Sequence, residues 1–412
     1  MPTCFSALMC HAPIVVPAVG RDRGALCLRT TRAMREVAAR AVASAPDCLV
    51  LISPHTPRHP VAWGAWTGRH RGDLADFGAP AVTIDLPDAP DVAAAVGAEP
   101  VHGTLDHGAT VPLAFLWDAG WRGPTAILGL PGRPDPDSEA VGRALAGLPG
   151  RVAVIASGDM SHRLKPGAPS GFDPRAQAFD DAFVAGLRAD RWSDAVAATP
   201  RELAAEDVVD SVRVAMAAVP GPLHAEVLSY EGPWGVGYTE AILFDPKPPP
   251  WAVARLGIRA ALEGRPWSPP AGGGEAAATF VTLTRGGSLR GCIGSTEPVK
   301  ADLNGNVAWA AEGAAFRDPR FPPLEEHELD DLAVEVSILE PAEPIAGPES
   351  LDPAIWGVIV SAGGRRGLLL PDIDGVDTVQ AQIAIARRKG GIGPAEPVTL
   401  QRFAVRKSAP PP

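Results

Sequence analysis

The chain has 412 residues, of which 46% are hydrophobic and 21% are charged, and its formal net charge is -11. This length exceeds what one hydrophobic core usually organises, so we expect two domains. The negative charge and an aromatic content of only 6% argue against nucleic acid or an anionic membrane as the main partner.

The cysteines indicate a reducing compartment. Cys4, Cys10, Cys27, Cys48 and Cys292 form no Cys-X-X-Cys pair, and several lie in apolar runs, where a free cysteine behaves as a small hydrophobic residue. No run of about 18 apolar residues occurs, so we expect no transmembrane helix. The apolar N-terminus lacks a basic region and predicts a strand, not a signal peptide. We therefore expect a cytoplasmic protein.

The first part of the chain alternates strand and helix patterns. An apolar run ending at Cys10 predicts the first strand, residues 34–42 have the spacing of an amphipathic helix, and 48–53 is predicted as the next strand. Further strands are predicted at 81–86, 125–130, 152–156, 225–230 and 238–244, and helices at 138–147, 174–188 and 205–218. This order predicts an α/β domain with a mostly parallel sheet and flanking helices.

A proline cluster interrupts these patterns. Residues 245–250 read Asp-Pro-Lys-Pro-Pro-Pro, which neither a helix interior nor a central strand accommodates. We therefore predict a first domain at 1–245, a linker at 246–250, a second domain at 251–408 and a frayed tail at 409–412. Within the second domain, a helix is predicted at 252–262, and strands at 278–283, 289–293, 332–339, 356–361 and 367–370. These elements predict a smaller α+β domain.

Histidines follow the ends of three predicted strands. His11 follows the first strand, His55 follows the second, and His162 ends a Gly-Asp-Met-Ser-His segment after the strand at 152–156. Ligands of open α/β sheets bind outside the carboxyl ends of the strands, so we expect these imidazoles to share one pocket. An isolated histidine is more often a capping or core residue. Because His11 and His55 each follow a strand of the same strand–helix–strand unit, we favour an open metal site with one added carboxylate.

Other residues are expected near this pocket. His107 stands between a loop and a predicted helix start, where it either bonds loop backbone or takes part in the active site. The predicted carboxylate ligand is Glu231, which follows its strand directly. Glu240 is the alternative, because an unpaired carboxylate in a core-facing strand is costly and is therefore a functional candidate. Asp159 is placed to orient a histidine.

Five motifs of the first domain occur in a recognisable order. They are His-Ala-Pro at 11–13, Ser-Pro-His at 53–55, Leu-Asp-His-Gly at 105–108, Gly-Asp-Met-Ser-His at 158–162, and Ser-Tyr-Glu-Gly-Pro-Trp-Gly at 229–235. In this order they resemble the class III extradiol dioxygenase superfamily, whose LigB-like catalytic fold is shared by the Memo proteins. The resemblance covers about 1–245.

The resemblance implies a site and a reaction. Fe(II) would be held by His11, His55 and Glu231, with His162 as the catalytic acid and base and His107 as a catalytic-site histidine that helps to bind the substrate. Copper and zinc are the alternative metals, because Memo-type proteins depart from the iron pattern near the carboxylate.

The second domain resembles the AMMECR1 domain over about 255–408. The resemblance rests on Leu-Arg-Gly-Cys-Ile-Gly at 289–294, Ala-Phe-Arg-Asp-Pro-Arg-Phe-Pro-Pro at 315–323, and the segments 334–339 and 367–371. Cys292 beside Arg290 is either a reactive thiolate or a small side chain packed in a glycine-flanked turn, with Arg290 paired to Asp318 or Glu335. We favour the packing interpretation. Proteins with AMMECR1-like and Memo-like domains resemble members of a group of proteins that also includes a radical-SAM protein, and this resemblance implies a radical-SAM protein as a partner.

The sequence therefore predicts a non-haem Fe(II)-dependent, extradiol ring-cleaving oxidoreductase. Its expected partners are a small catechol-type or related aromatic substrate and O2. The alternatives are a Memo-like metal-binding redox protein without ring cleavage, and a non-catalytic scaffold that works with a radical-SAM protein.

Overall fold

A computed structural model of the protein describes residues 3–55, 58–132, 137–197, 208–221, 225–270 and 273–410. The chain forms two compact units, the first reaching Pro246 and the second beginning at Lys247. Of the tail predicted at 409–412, residues 411 and 412 lie outside the described part. Within that part, no helix has the length and apolar character needed to cross a membrane.

The first unit is built from short buried strands connected mainly by helices. Its strands are β1 (Thr3–Met9), β2 (Cys48–Ser53), β3 (Gly64–Trp66), β4 (His70–Leu74), β5 (Ala79–Leu86), β6 (Glu99–Val101), β7 (Thr125–Gly129), β8 (Val152–Ser157), β9 (Glu226–Glu231) and β10 (Tyr238–Phe244). Its helices are α1 (Pro17–Gly20), α2 (Leu28–Ala43), α3 (Pro90–Val96), α4 (His107–Asp118), α5 (Ser138–Ala146), α6 (Ala176–Arg188), α7 (Trp192–Val196) and α8 (Val208–Ala217).

Eight of these strands form one large, mainly parallel sheet in the described part of the unit, and β4 and β5 pair with each other as a separate two-stranded sheet. The strand order is β6-β3-β7-β2-β8-β1-β10-β9. β2 and β1 flank β8, and both run parallel to it. β10 and β9 extend the sheet in antiparallel pairing. The N-terminal half of the predicted fold class is thus confirmed.

Alternate residues of the central strands enter two cores. Along β2, Leu49 and Leu51 join the core that contains Met34 of α2, whereas Val50 and Ile52 join the opposite one. Both faces of a parallel sheet must be covered, so its strands are apolar throughout instead of alternating with polar residues. The helices therefore form a layer on each side of the sheet.

For the longer elements of this unit, most of the predicted ends lie within three residues of the observed ends. The shortest elements were not predicted. The predicted helix at 205–218 is α8, with 205–207 outside the described residues. The predictions omitted the strands β3, β4 and β6 and the helices α1, α3 and α7, each of which has seven residues or fewer. An element of this length offers too few residues for a hydrophobic period to be counted.

The second unit contains two separate four-stranded sheets in its described residues. Their orders are β12-β11-β13-β18 and β14-β17-β15-β16. The strands are β11 (Thr279–Arg285), β12 (Ser288–Gly294), β13 (Leu332–Leu339), β14 (Glu343–Ile345), β15 (Gly357–Ala362), β16 (Arg365–Leu369), β17 (Thr399–Phe403) and β18 (Val405–Ser408). The helices are α9 (Pro250–Leu262), α10 (Leu303–Phe316) and α11 (Val379–Lys389). This α+β architecture confirms the C-terminal half of the predicted fold class.

Two features of this unit follow from local chemistry. Gly286 and Gly287, with φ of +55° and +79°, form the tight turn of the predicted β11–β12 hairpin. Helix α9 begins at Pro250, within the predicted linker, because proline suits the first helical position, where an amide hydrogen has no partner. Helix α10 was missed because it is buried on most of its faces and so lacks an amphipathic pattern.

Candidate metal centre

The carboxyl ends of three neighbouring strands define the site. His11 lies two residues after β1, His55 lies two residues after β2, and the segment 158–162 follows β8, which lies between them. Because these strands are parallel, their carboxyl ends meet at one edge of the sheet. The fold therefore brings together residues that are up to about 150 positions apart in the sequence.

Three imidazoles converge at this edge. The Nε2 atoms of His11 and His55 are 2.9 Å apart. The ring centroid of His107 lies 4.6 Å from that of His55 and 5.8 Å from that of His11. One nitrogen from each ring lies within 4.8 Å of the others, and among the described residues these three form the group that could hold a metal ion.

His107 reaches this group because helix α4 begins there. The side chain of Asp106, the N-cap residue, accepts a hydrogen bond from the backbone N–H of Ala109 at 3.1 Å. This cap fixes the first turn and so the position of the imidazole. The sequence predicted His107 at the wall of the pocket as a substrate-binding residue, whereas the structure groups it with His11 and His55.

A serine selects the tautomer of His11. Ser157 Oγ donates its one proton to the carbonyl oxygen of Gly108 at 2.6 Å, so the same oxygen must accept from His11 Nδ1, 3.0 Å away. The proton of a neutral His11 is therefore on Nδ1, and the lone pair of Nε2 is directed to the group of histidines. This arrangement is the usual support of a metal-binding imidazole.

The donor set fits a metal ion. The Nε2 atoms of His11 and His55 are at hydrogen-bond distance, and two nitrogens bound to one ion at about 2.05 Å and about 90° to each other would also lie about 2.9 Å apart. Burial lowers the pKa of His107, and neighbouring His55 lowers it further, so His107 is held in the neutral form that binds metals. His11 is only 3% exposed, whereas His55 is exposed and His107 half-buried. Solvent therefore reaches the group from the side of His55 and His107.

Asp159 and His162 border the other side of the group. Asp159 accepts a hydrogen bond from the backbone N–H of His11 at 2.9 Å, and its Oδ2 lies 3.8 Å from Nε2 of both His11 and His162. Burial raises the pKa of Asp159. Asp159 and His162 line one small, narrow cavity together with His11, His55, Pro54, Gly158 and Val208. The predicted proximity of His162 to the two histidines is thus observed.

Neither predicted glutamate belongs to the three-histidine group. The Glu231 carboxylate accepts hydrogen bonds from Thr30, at 2.9 Å from its backbone N–H and 2.7 Å from its hydroxyl. The strand was predicted to end at residue 230, but Glu231 is the last residue of β9. Its side chain therefore has the direction of a strand residue and reaches the first turn of α2. Glu240 is fully buried in β10, where it accepts a hydrogen bond from Ser229 and lies beside Cys10. Burial raises the pKa of Glu240 to about 8.

Sequence reasoning also missed two neighbours of the histidines. Ser157 ends β8, and Phe77 follows β4 in a short turn, with its ring centroid 5.4 Å from that of His107. Ser157 could have been predicted as a site residue, because it directly precedes the Gly-Asp-Met-Ser-His motif. No sequence signal pointed to Phe77, because its contact with His107 depends on how a two-stranded hairpin packs against α4.

The surroundings of Cys292 favour packing over reactivity. Its backbone N–H donates to Asp318 at 2.9 Å, and Asp318 is paired with Arg320 at 2.7 Å. Arg290 pairs with Glu328 at 2.8 Å, and not with Asp318 or Glu335 as predicted. Each guanidinium is thus neutralised by a carboxylate, so neither leaves a net positive charge for a thiolate.

Comparisons with known proteins extend over both units. The family model described as catalytic LigB subunit of aromatic ring-opening dioxygenase matches residues 6–239, and the AMMECR1 model matches 252–408. A protein of Clostridium acetobutylicum is 30% identical over 97% of this chain and 98% of its own length. A Thermotoga maritima protein is 51% identical over 32% of this chain and 76% of its own. A solved structure from Pyrococcus horikoshii is 32% identical, covers 39% of this chain and 91% of its own, and has a TM-score of 0.36.

Proposed function

Because the chain belongs to the family of the catalytic LigB subunit of aromatic ring-opening dioxygenase and carries an AMMECR1 domain, we propose that it is a metal-dependent, dioxygenase-like oxidoreductase. Its proposed substrates are a catechol-type or related aromatic molecule and O2. The convergence of His11, His55 and His107 at the carboxyl edge of the sheet carries this proposal.

The three histidines would hold the metal, which we propose to be Fe(II). Imidazole is a ligand that suits iron, copper and zinc, and the LigB family favours iron among these. Bound Fe(II) would supply open coordination positions for a vicinal diol and O2, and would lower the pKa of the diol hydroxyls. The tautomer imposed by Ser157 keeps His11 Nε2 ready to bind without a rearrangement.

His162 is the residue to which we assign proton transfer. Its Nε2 lies 3.8 Å from Asp159 Oδ2, and both side chains line the cavity beside His11 and His55. A proton taken from a substrate hydroxyl by His162 Nε2 would be stabilised by the nearby Asp159 carboxylate. The same atom could later return the proton to the leaving oxygen. Asp159 also fixes the backbone of His11, so it ties the proton-transfer residue to the metal-binding residues.

The test begins with metal content. We expect the full chain, reconstituted anaerobically with Fe(II), to bind one ion per chain, and His55→Ala to lose it. His327→Ala is the matched control, because this histidine is exposed and lies in the second unit. Oxygen uptake with simple catechols then tests the reaction. Metal binding that survives His55→Ala would refute the site, and tight iron binding without any oxygen uptake would refute ring cleavage.

One observation favours a second candidate, a Memo-like metal-binding redox protein without ring cleavage. Among the described residues, the group of potential ligands contains imidazoles and no carboxylate. An all-imidazole set suits copper and zinc as well as iron, and copper has the higher intrinsic affinity. If the chain retains Cu(II) in competition with Fe(II), and only the copper form undergoes reversible reduction, this candidate replaces the dioxygenase.

A further inference from the structure

An exposed aromatic ring borders the three histidines. Phe77 is 41% exposed, although burial of a phenylalanine side chain is worth about 1.5–3 kcal/mol. Its ring meets that of His107 edge to face, with an interplanar angle of 67° and a centroid distance of 5.4 Å. The exposed side of the three-histidine group is therefore bordered by an apolar ring that remains available to a second molecule.

The hairpin that carries Phe77 is fixed relative to His107. The backbone N–H of Leu105, two residues before His107, donates to the carbonyl oxygen of Arg71 in β4 at 3.0 Å. Gly72 packs so closely on this region that an added Cβ would lie 2.5 Å from Thr110 Oγ1 of α4. The ring of Phe77 is thus held in place by the same segment that positions the His107 imidazole.

The turn that presents Phe77 is also well defined. It ends at Gly78, whose φ of +78° lies in the left-handed region that favours glycine. The guanidinium of Arg21 donates to the carbonyl oxygen of Gly78 at 3.2 Å. The backbone of the turn that carries Phe77 is therefore held by these contacts. Less conformational entropy is then lost when a ligand packs against the Phe77 ring.

We propose that Phe77 is a specificity-determining residue that packs against the aromatic ring of a substrate bound at the three histidines. This inference rests on the proposed function. It adds that the Phe77 side chain favours binding of a planar aromatic ligand over an aliphatic one. Aromatic pairs prefer edge-to-face or offset contacts with centroids about 4.5–7 Å apart, and a substrate ring bound within that distance of Phe77 would make such a contact.

The experiment measures ligand binding without turnover. The full chain is loaded with Zn(II) under anaerobic conditions and titrated with 4-nitrocatechol, and with acetohydroxamate as a chelator without a ring. Phe77→Ala should weaken 4-nitrocatechol binding about three- to tenfold, the range expected for one aromatic contact. Acetohydroxamate and Zn(II) affinity should remain at the wild-type level. Phe77→Leu should lie between, because it keeps apolar surface without a ring.

The control variant is Leu289→Ala in the second unit, where a comparably exposed side chain (43%) is removed far along the chain. It should bind both ligands like the wild type. Equal 4-nitrocatechol affinity in Phe77→Ala and wild type would overturn the role of Phe77 alone. A parallel loss of Zn(II) affinity would also overturn it, since Phe77 would then act by orienting His107. Failure of the zinc-loaded wild type to bind 4-nitrocatechol would overturn the proposed function, and with it this inference.

Discussion

At the scale of single residues, the site depends on where protons are placed. Ser157 gives its proton to Gly108 and receives one from His11 Nδ1, which leaves Nε2 of His11 unprotonated. His107 is kept neutral by burial and by neighbouring His55. Asp159 holds the backbone of His11 and faces His162. In the proposed function, each of these contacts would prepare a group for metal binding or proton transfer before any ligand binds.

Removal of the Ser157 hydroxyl should weaken the proposed metal site. In Ser157→Ala, His11 Nδ1 loses its acceptor, so either tautomer and several ring orientations become available. We expect metal affinity to fall about 10- to 100-fold, as for other supporting contacts of metal-binding histidines. Competition with a chromophoric chelator measures this. Ser53→Ala is the matched control, since Ser53 ends β2 and its buried hydroxyl has no hydrogen-bond partner among the described atoms. Equal affinities in both variants would contradict the tautomer argument.

Stability should depend on pH through Glu240. Burial raises the pKa of Glu240 from 4.5 to about 8, so the native state binds a proton that the unfolded chain releases between these values. The contribution of the protonated form is fully present below 4.5, and is lost as the pH rises toward 8, at about 1.4 kcal/mol per pH unit at most. Glu240→Gln should remove this loss, so the variant should gain stability relative to wild type as the pH rises.

Urea unfolding of the metal-free protein at several pH values measures this difference. Glu99→Gln, at an exposed strand position, serves as the control and should follow the wild type. A difference between Glu240→Gln and wild type that does not change with pH would show that the Glu240 carboxyl is not protonated in the native state.

At the scale of elements, three parallel strands and two helices assemble the site. β1, β2 and β8 deliver His11, His55 and the Asp159–His162 segment to one edge, and the capped start of α4 adds His107. Helix α8 closes the opposite side, where Val208 lines the cavity. The backbone N–H of Met160 donates to the carbonyl oxygen of Gly237, and Gly237 donates back to Ser161, each at 2.8 Å. The segment after β8 is therefore held in place by Gly237, the residue directly before β10.

Close packing of α8 on this segment makes Gly158 sensitive. A Cβ at Gly158 would lie 2.8 Å from Val208 Cα, a backbone atom that cannot rotate away. Gly158→Ala should therefore cost about 1–3 kcal/mol of unfolding free energy, and should reduce metal affinity by shifting Asp159. Gly24→Ala is the control, because no atom lies within 4 Å of its added Cβ. Thermal unfolding with and without metal is the measurement, and wild-type behaviour of Gly158→Ala would contradict the packing.

At the scale of the whole molecule, the chain divides into two units with their own cores. In the first, buried residues such as Leu51 and Val50 occupy the two faces of the large sheet. In the second, Val360 and Phe403 belong to separate small cores. The proline cluster lies at the division, between Asp245 and the start of α9. All three histidines of the proposed metal centre belong to the first unit.

Cleavage in the proline cluster should therefore separate metal binding from the rest. We expect a specific protease site inserted between Lys247 and Pro248 to release two folded fragments, with one metal ion per chain in the first and none in the second. Gel filtration and metal analysis of each fragment check this. Aggregation of both fragments after cleavage would show that they stabilise each other, and metal in the second fragment would contradict the site.

The sequence by itself determined the fold class and the family, and it singled out His11, His55, His107 and His162 as candidate site residues without fixing their roles. Apolar runs and amphipathic helices repeat a hydrophobic pattern over enough residues for it to be recognised. The carboxyl ends of neighbouring parallel strands share one edge of the sheet. The sequence did not determine which donors meet. Glu231 turned to Thr30 and His107 joined His11 and His55, because a one-residue difference in strand length or the first turn of a helix redirects a side chain by several ångströms. Only the packed tertiary structure sets those directions, since they depend on contacts between segments far apart in the chain.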